Sequence, residues 1–160
     1  MLWRTHFVGG VLAGTGAALL LHSDPLLFAG VAGFASLLPD LDSPKSKLGS
    51  KLFPVSAALS LTLGHRGPLH SLLGAALACA GSFFALKALH LNPLLLCAVA
   101  AGYVSHLLLD ALNPQGVPLL WPCKKRLGVP LCQTGSWFER ITFYPLVAGA
   151  VWALLKGVIS

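Results

Sequence analysis

Apolar positions fall in runs separated by short polar stretches. Phe7 to Leu21, rich in Gly and Ala and preceded by Arg4, predicts a first membrane-crossing helix. No small-x-small cleavage site follows it and further apolar runs do, so it reads as an uncleaved span rather than a secretory signal. Leu26 to Leu38 is a second run, ended by Pro39. It is short against the roughly 20 residues of an upright crossing, so tilt or local thinning of the bilayer is expected there. Leu52 to Leu63 has the apolar character of an interfacial or re-entrant segment. Leu69 to Leu89 and Pro93 to Leu112 are the clearest spans, joined by a turn at His90 to Asn92 as an antiparallel hairpin. Asn113 and Pro114 stop the fourth span, and the Pro- and Gly-rich stretch to Arg140 predicts an ordered surface loop. Ile141 to Ile159 is the last span. The expected fold class is therefore all-α, a polytopic transmembrane helical bundle of about five spans plus an interfacial or re-entrant helix. Residues 1–160 form a single integral membrane domain with no internal repeat.

Composition agrees with that reading. Of 160 residues, 56% are hydrophobic and 10% charged, where soluble domains carry roughly a quarter charged residues. The net charge of +6 is too thinly spread to suggest nucleic-acid binding, but its placement is informative. With five spans, Arg4, Lys45, Lys47, Lys51, Arg66, Lys124, Lys125, Arg126 and Arg140 fall on one side, and Lys87 and Lys156 on the other. The positive-inside rule makes the first side cytoplasmic. Cys79 and Cys97 lie in apolar runs as small hydrophobes. Cys123 and Cys132 match no zinc or redox spacing, and would pair only in an oxidising compartment.

Polar groups that carry chemistry gather on the same side. His6 precedes the first span, Asp40 and Asp42 follow the second, His65 and His70 bracket the start of the third, and His106 and Asp110 close the fourth. The i, i+4 spacing of His106 and Asp110 places an imidazole and a carboxylate on one helix face. Pro39-Asp40-Leu41-Asp42, if extended, points its two carboxylates the same way. Pro68 suits the first turn of the third helix, which leaves His65 and Arg66 in the loop and puts His70 in the opening turn. Carboxylates near a helix C-terminus are electrostatically disfavoured, so helix stability does not account for Asp40, Asp42 and Asp110, whereas a bound cation does. His22 and His90 lie at the opposite surface and are assigned no role.

A donor set mixing imidazole with carboxylate, without thiolate, suits zinc, manganese or iron better than copper(I) or calcium. The seven candidate ligands are His6, Asp40, Asp42, His65, His70, His106 and Asp110. They exceed what one tetrahedral ion uses, so one or two divalent ions are expected, with Asp110 the first choice to bridge a pair.

At these residues the chain resembles the YdjM-like family of membrane-bound metal-dependent hydrolases. The matching stretches are Leu37 to Pro44 (LLPDLDSP), Gly64 to Ser71 (GHRGPLHS), Gly102 to Asp110 (GYVSHLLLD) and Asn113 to Pro122 (NPQGVPLLWP). The family commonly has threonine before the second histidine of the second stretch, where this chain has Leu69. It also tends to carry a glutamate after a Gly-Ser pair beyond the long loop, and Gly135-Ser136-Trp137-Phe138-Glu139 is similar. The resemblance implies a hydrolase in which Glu139 acts as general base or outer ligand. A more distant similarity, to the helical zinc-dependent phospholipase C and P1 nuclease group, implies phosphodiester chemistry by analogy of fold.

The expectation is thus a metal-dependent hydrolase, phosphoesterase- or phospholipase-like, in a bacterial-type inner membrane. It would act on a phospholipid or other phosphate ester at the cytoplasmic face, with Arg66 neutralising phosphate and Asp110 and Glu139 at the reacting centre. Two alternatives stand beside it. A metal or proton transporter would need polar groups through the whole bilayer. A non-enzymatic anchor would hold a soluble partner through Lys124-Lys125-Arg126, its metal being structural and fully coordinated.

Overall fold

The computed structural model describes residues 1–63, 67–123 and 125–159. Among them the chain forms α1 (Trp3–Leu20), α2 (Pro25–Ala35), α3 (Lys47–Lys51), α4 (Phe53–Leu63), α5 (Leu72–Ala88), α6 (Leu95–Ala111) and α7 (Trp137–Ile159), with 3₁₀ turns at Pro39–Asp42 and Pro68–His70. Local sequence sets several of these ends. Asp24 accepts from the backbone N–H of Leu26 and Leu27 at 2.8 and 3.0 Å, with Pro25 opening α2. Ser46 caps α3 and Ser71 caps α5 in the same way. His22 and His90 take left-handed backbone angles, φ 50° and 53°, just beyond α1 and α5. Both therefore serve as turn residues after a helix.

α1 and α6 lie at the centre, α1 against α2, α6 and α7, and α6 against α1, α2 and α5. Close approach explains the order. A methyl group at Gly14 would run into Ala32 and the Phe28 carbonyl, and one at Gly102 into the backbone of Ala32. Two helices thus close on the same residue of α2 because neither presents a side chain there, the usual way apolar helices pack without a hydrophobic drive. Ala18, Phe28, Ala32, Leu95 and Ala98 form one buried cluster, and Ala75, Tyr103 and Leu107 another.

Among the described residues, two stretches have the length and hydropathy of a crossing: Pro25–Asp42, which runs from α2 into the 3₁₀ turn, and Trp137–Ile159. Half of the first window is buried within the molecule, against 11% of the second, so α7 turns most of its surface outward. The other expected spans are shorter or more polar. α5 and α6 are apolar helices of 17 residues each, and α4, where an interfacial or re-entrant segment is expected, has 11.

Three local expectations are corrected. Pro39–Asp42 is a 3₁₀ turn rather than an extended strand. Pro68–His70 is a separate 3₁₀ turn, broken from α5 by the extended backbone of Ser71 (φ −135°, ψ 171°), so His70 precedes the helix instead of opening it. α3 occupies Lys47–Lys51, where the apolar runs predict no element.

The long loop after α6 is ordered by its own backbone. Val117 and Leu127 exchange hydrogen bonds of 2.8 and 2.9 Å, while Val129 donates to the Ala111 carbonyl at 2.7 Å and Cys132 to that of Leu112 at 2.9 Å. Those carbonyls are among the acceptors that a helix C-terminus leaves unpaired. The four cysteines are free thiols, Cys132 buried and Cys123 exposed.

Candidate metal centre

The start of α1, the 3₁₀ turn after α2, the 3₁₀ turn before α5 and the last turns of α6 meet in a buried cluster. His6, Asp42, His70, His106 and Asp110 are each at most 2% exposed. Two overlapping groups, His6 with His106 and Asp110, and Asp40 with His70 and His106, have donor atoms within 4.8 Å of one another. His65 and Arg66 lie outside the described residues.

Hydrogen bonds decide which nitrogens face inward. His106 Nδ1 is 2.6 Å from the Ser36 carbonyl oxygen. A carbonyl only accepts, so Nδ1 carries the proton and Nε2 offers its lone pair to the cluster. Likewise Asp42 Oδ2 lies 3.2 Å from His70 Nδ1, and His70 Nε2 faces His106 Nε2 at 3.4 Å. A backbone carbonyl and a carboxylate behind two imidazoles are the outer partners that fix metal-binding histidines. Asp42, expected as a direct ligand, accordingly backs His70 and joins neither group. The 3₁₀ turn accounts for this: at about 120° per residue, positions i and i+2 do not share a face. Asp40 and Asp42 approach one ring from different sides, Asp40 lying 3.7 Å from Nε2.

Asp110 presents its oxygens to different partners. Oδ1 lies 3.2 Å from His6 Nε2 and 2.6 Å from the Met1 nitrogen, whereas Oδ2 lies 3.8 Å from His70 Nε2 and 3.9 Å from His106 Nε2. His6 also stacks on His106, ring centres 3.8 Å apart, and its Nδ1 is buried without a hydrogen-bond partner among the described residues.

The donor set fits a divalent ion. Donor atoms about 2.0–2.1 Å from a tetrahedral centre are about 3.3 Å from one another. The 3.4–3.9 Å separations among Asp110 Oδ2 and the Nε2 atoms of His70 and His106 are close to that, and long for direct hydrogen bonds. Burial pushes His70 down, but the Asp40 carboxylate 3.7 Å from its Nε2 and Asp42 hydrogen-bonded at its Nδ1 outweigh that and raise it to about 9.

Two further groups position the cluster, and of these Tyr103 is not singled out by the sequence. The Tyr103 hydroxyl donates to the Leu69 carbonyl at 2.5 Å and holds the turn that bears His70. Glu139, expected as general base or outer ligand, accepts from the Leu2 N–H (2.5 Å), the Thr5 hydroxyl (3.0 Å) and the Gly135 N–H (2.6 Å). It joins neither ligand group, and fastens the first turn of α1, which carries His6, to the start of α7. A cavity of about 370 Å³ reaches Asp40 and Asp110 from outside, between Trp3, Lys45, Lys47 and Gln115.

Apolar helices with a buried imidazole and carboxylate cluster at one end define a membrane protein with a candidate metal centre. The chain matches the YdjM inner membrane protein family over residues 1–159 and belongs to it. Inner membrane protein YdjM of Escherichia coli strain K12 is 40% identical over 119 residues, 72% of this chain and 61% of that protein, and its Shigella flexneri namesake matches equally. The chain thus spans about three fifths of the length of these two relatives. The uncharacterized protein YvsG of Bacillus subtilis strain 168 is 34% identical over 142 residues, 88% of this chain and 86% of its own length. No solved structure matches. The family supports an inner-membrane location.

Proposed function

We propose that the protein is a metal-dependent hydrolase of phosphate esters, phospholipids first among them, working at the cytoplasmic face of a five-span bundle. One observation carries this reading: two imidazoles, each backed on Nδ1, turn their Nε2 atoms toward a shared carboxylate at the floor of an open cavity. His6, Asp40, His70, His106 and Asp110 would hold one or two ions, with His106 common to both groups and Asp110 turning its second oxygen toward His70. Zinc, manganese or iron there would supply Lewis-acid activation of water and neutralise phosphoryl charge. The chain's own part is to exclude water from the ligands, to fix their tautomers and to draw an anionic head group into the cavity with Lys45 and Lys47. Access from the interface suits a lipid, whose phosphate sits at that depth.

The test pairs elemental analysis with phosphate release from phosphatidate and phosphatidylglycerol in mixed micelles. The wild type is expected to carry a divalent ion and to hydrolyse one of these esters, and His106→Ala and Asp110→Ala to lose both, the rate by at least about 100-fold. An ion-free wild type after growth with zinc, manganese and iron removes the metal reading. Full activity in both variants removes the enzyme reading at this site.

A further inference from the structure

A second cavity, of about 260 Å³, lies between the first turns of α1 and α7, lined by Leu2, Arg4, Glu139, Arg140, Phe143 and Tyr144. None of the described ligand candidates lines it. Arg4 and Arg140 come from different helices, both are exposed, and neither has a carboxylate within ion-pair reach among the described residues. The one acid at the cavity, Glu139, has both oxygens occupied by the three hydrogen bonds that clasp α1 to α7. Each arginine sits in the opening turn of its helix, where a cation is disfavoured by the backbone dipole. Two such placements around one space favour an anion between them. The far wall of the cavity is apolar and belongs to α7, which turns outward over most of its length. Tyr144 is 71% exposed there, and tyrosine is a residue type enriched beside lipid head groups.

We propose that this cavity binds the phosphate of an anionic phospholipid as a retained lipid rather than as substrate. The guanidinium forks of Arg4 and Arg140 hold the phosphate oxygens, and the acyl chains lie along Phe143 and Tyr144. Free phosphate could meet the same forks, but it has no use for the aromatic wall, so a lipid is the occupant. The bound lipid braces the α1 and α7 pair beside the Glu139 clasp and so raises the stability of the fold. None of this depends on hydrolysis at the metal centre.

The experiment follows thermal unfolding of the purified full chain in a neutral detergent. Phosphatidylglycerol, phosphatidylcholine or inorganic phosphate is added at matched concentration. Phosphatidylglycerol is expected to raise Tm by about 3–5 °C, with no comparable shift from the other two. In Arg4→Gln/Arg140→Gln the shift disappears while metal content stays at the wild-type level. A shift retained in that variant, an equal shift with phosphatidylcholine, or its reproduction by phosphate alone overturns the proposal. Should the double variant not fold, Arg4→Lys/Arg140→Lys keeps the charge and removes the forks. Its shift is expected to be smaller than that of the wild type, and an undiminished one overturns the assignment.

Discussion

A proton and the proposed divalent ion would compete for the same lone pair on His70. In the ion-free protein its value stands at about 9, against 6.5 for an unperturbed imidazole. The raised value means that the protonated form stabilises the fold fully below pH 6.5, and that this contribution is lost as pH rises through about 9. Ion binding must expel that proton, so affinity for zinc or manganese should climb by about tenfold per pH unit between these limits. Competition titrations at pH 6.5, 7.5 and 8.5 measure it, and a flat profile would show that His70 is not a ligand. At this scale the sequence announces residue types and hides their partners. The spacing of His106 and Asp110 is legible because a helix fixes it. The Ser36 carbonyl that sets the His106 tautomer is not, since every residue has a carbonyl and only the α2 and α6 contact selects this one. Asp42 is visible as an acid, but which nitrogen it meets follows from a 3₁₀ turn that a four-residue stretch does not declare.

Helices here are positioned by absent side chains as much as by present ones. Gly102 rests on Ala32, and one turn further along both helices His106 meets the Ser36 carbonyl. Gly102→Ala should therefore push α6 from α2, cost about 1–3 kcal/mol through overpacking and deplete the bound ion. Gly81→Ala, at a position with nothing within 4 Å, should leave thermal stability and ion content near wild type. Equal behaviour of the two variants would separate the centre from this helix contact. The apolar runs place α1, α2, α5, α6 and α7 to within a few residues, because unbroken hydrophobicity and a Pro or Asn stop are local signals. α3 and both 3₁₀ turns escape that reading, being too short for periodicity and fixed by single caps such as Ser46.

Over the whole molecule, the sequence puts most of the basic residues and the clustered histidines and aspartates at matching ends of the expected spans, so the proposed sidedness rests on charge. In a chain without native cysteines, Ser23→Cys and Asn92→Cys should react with an impermeant maleimide from the periplasmic side, and Ser46→Cys and Gln115→Cys only after permeabilisation. Labelling of Ser46→Cys and Asn92→Cys from one side would break the five-span order. Charge bias acts on loops as units, whereas crossing lengths are blurred by tilt and by stretches such as Pro25–Asp42 that end in a turn. The bonds from Leu2 and Thr5 to Glu139 join positions 137 and 134 residues apart. A nascent polypeptide carrying His6 emerges early and waits for more than a hundred further residues to be synthesised before that turn can be secured. Fastening of the turn that bears His6 therefore comes late in synthesis, once Glu139 has left the ribosome.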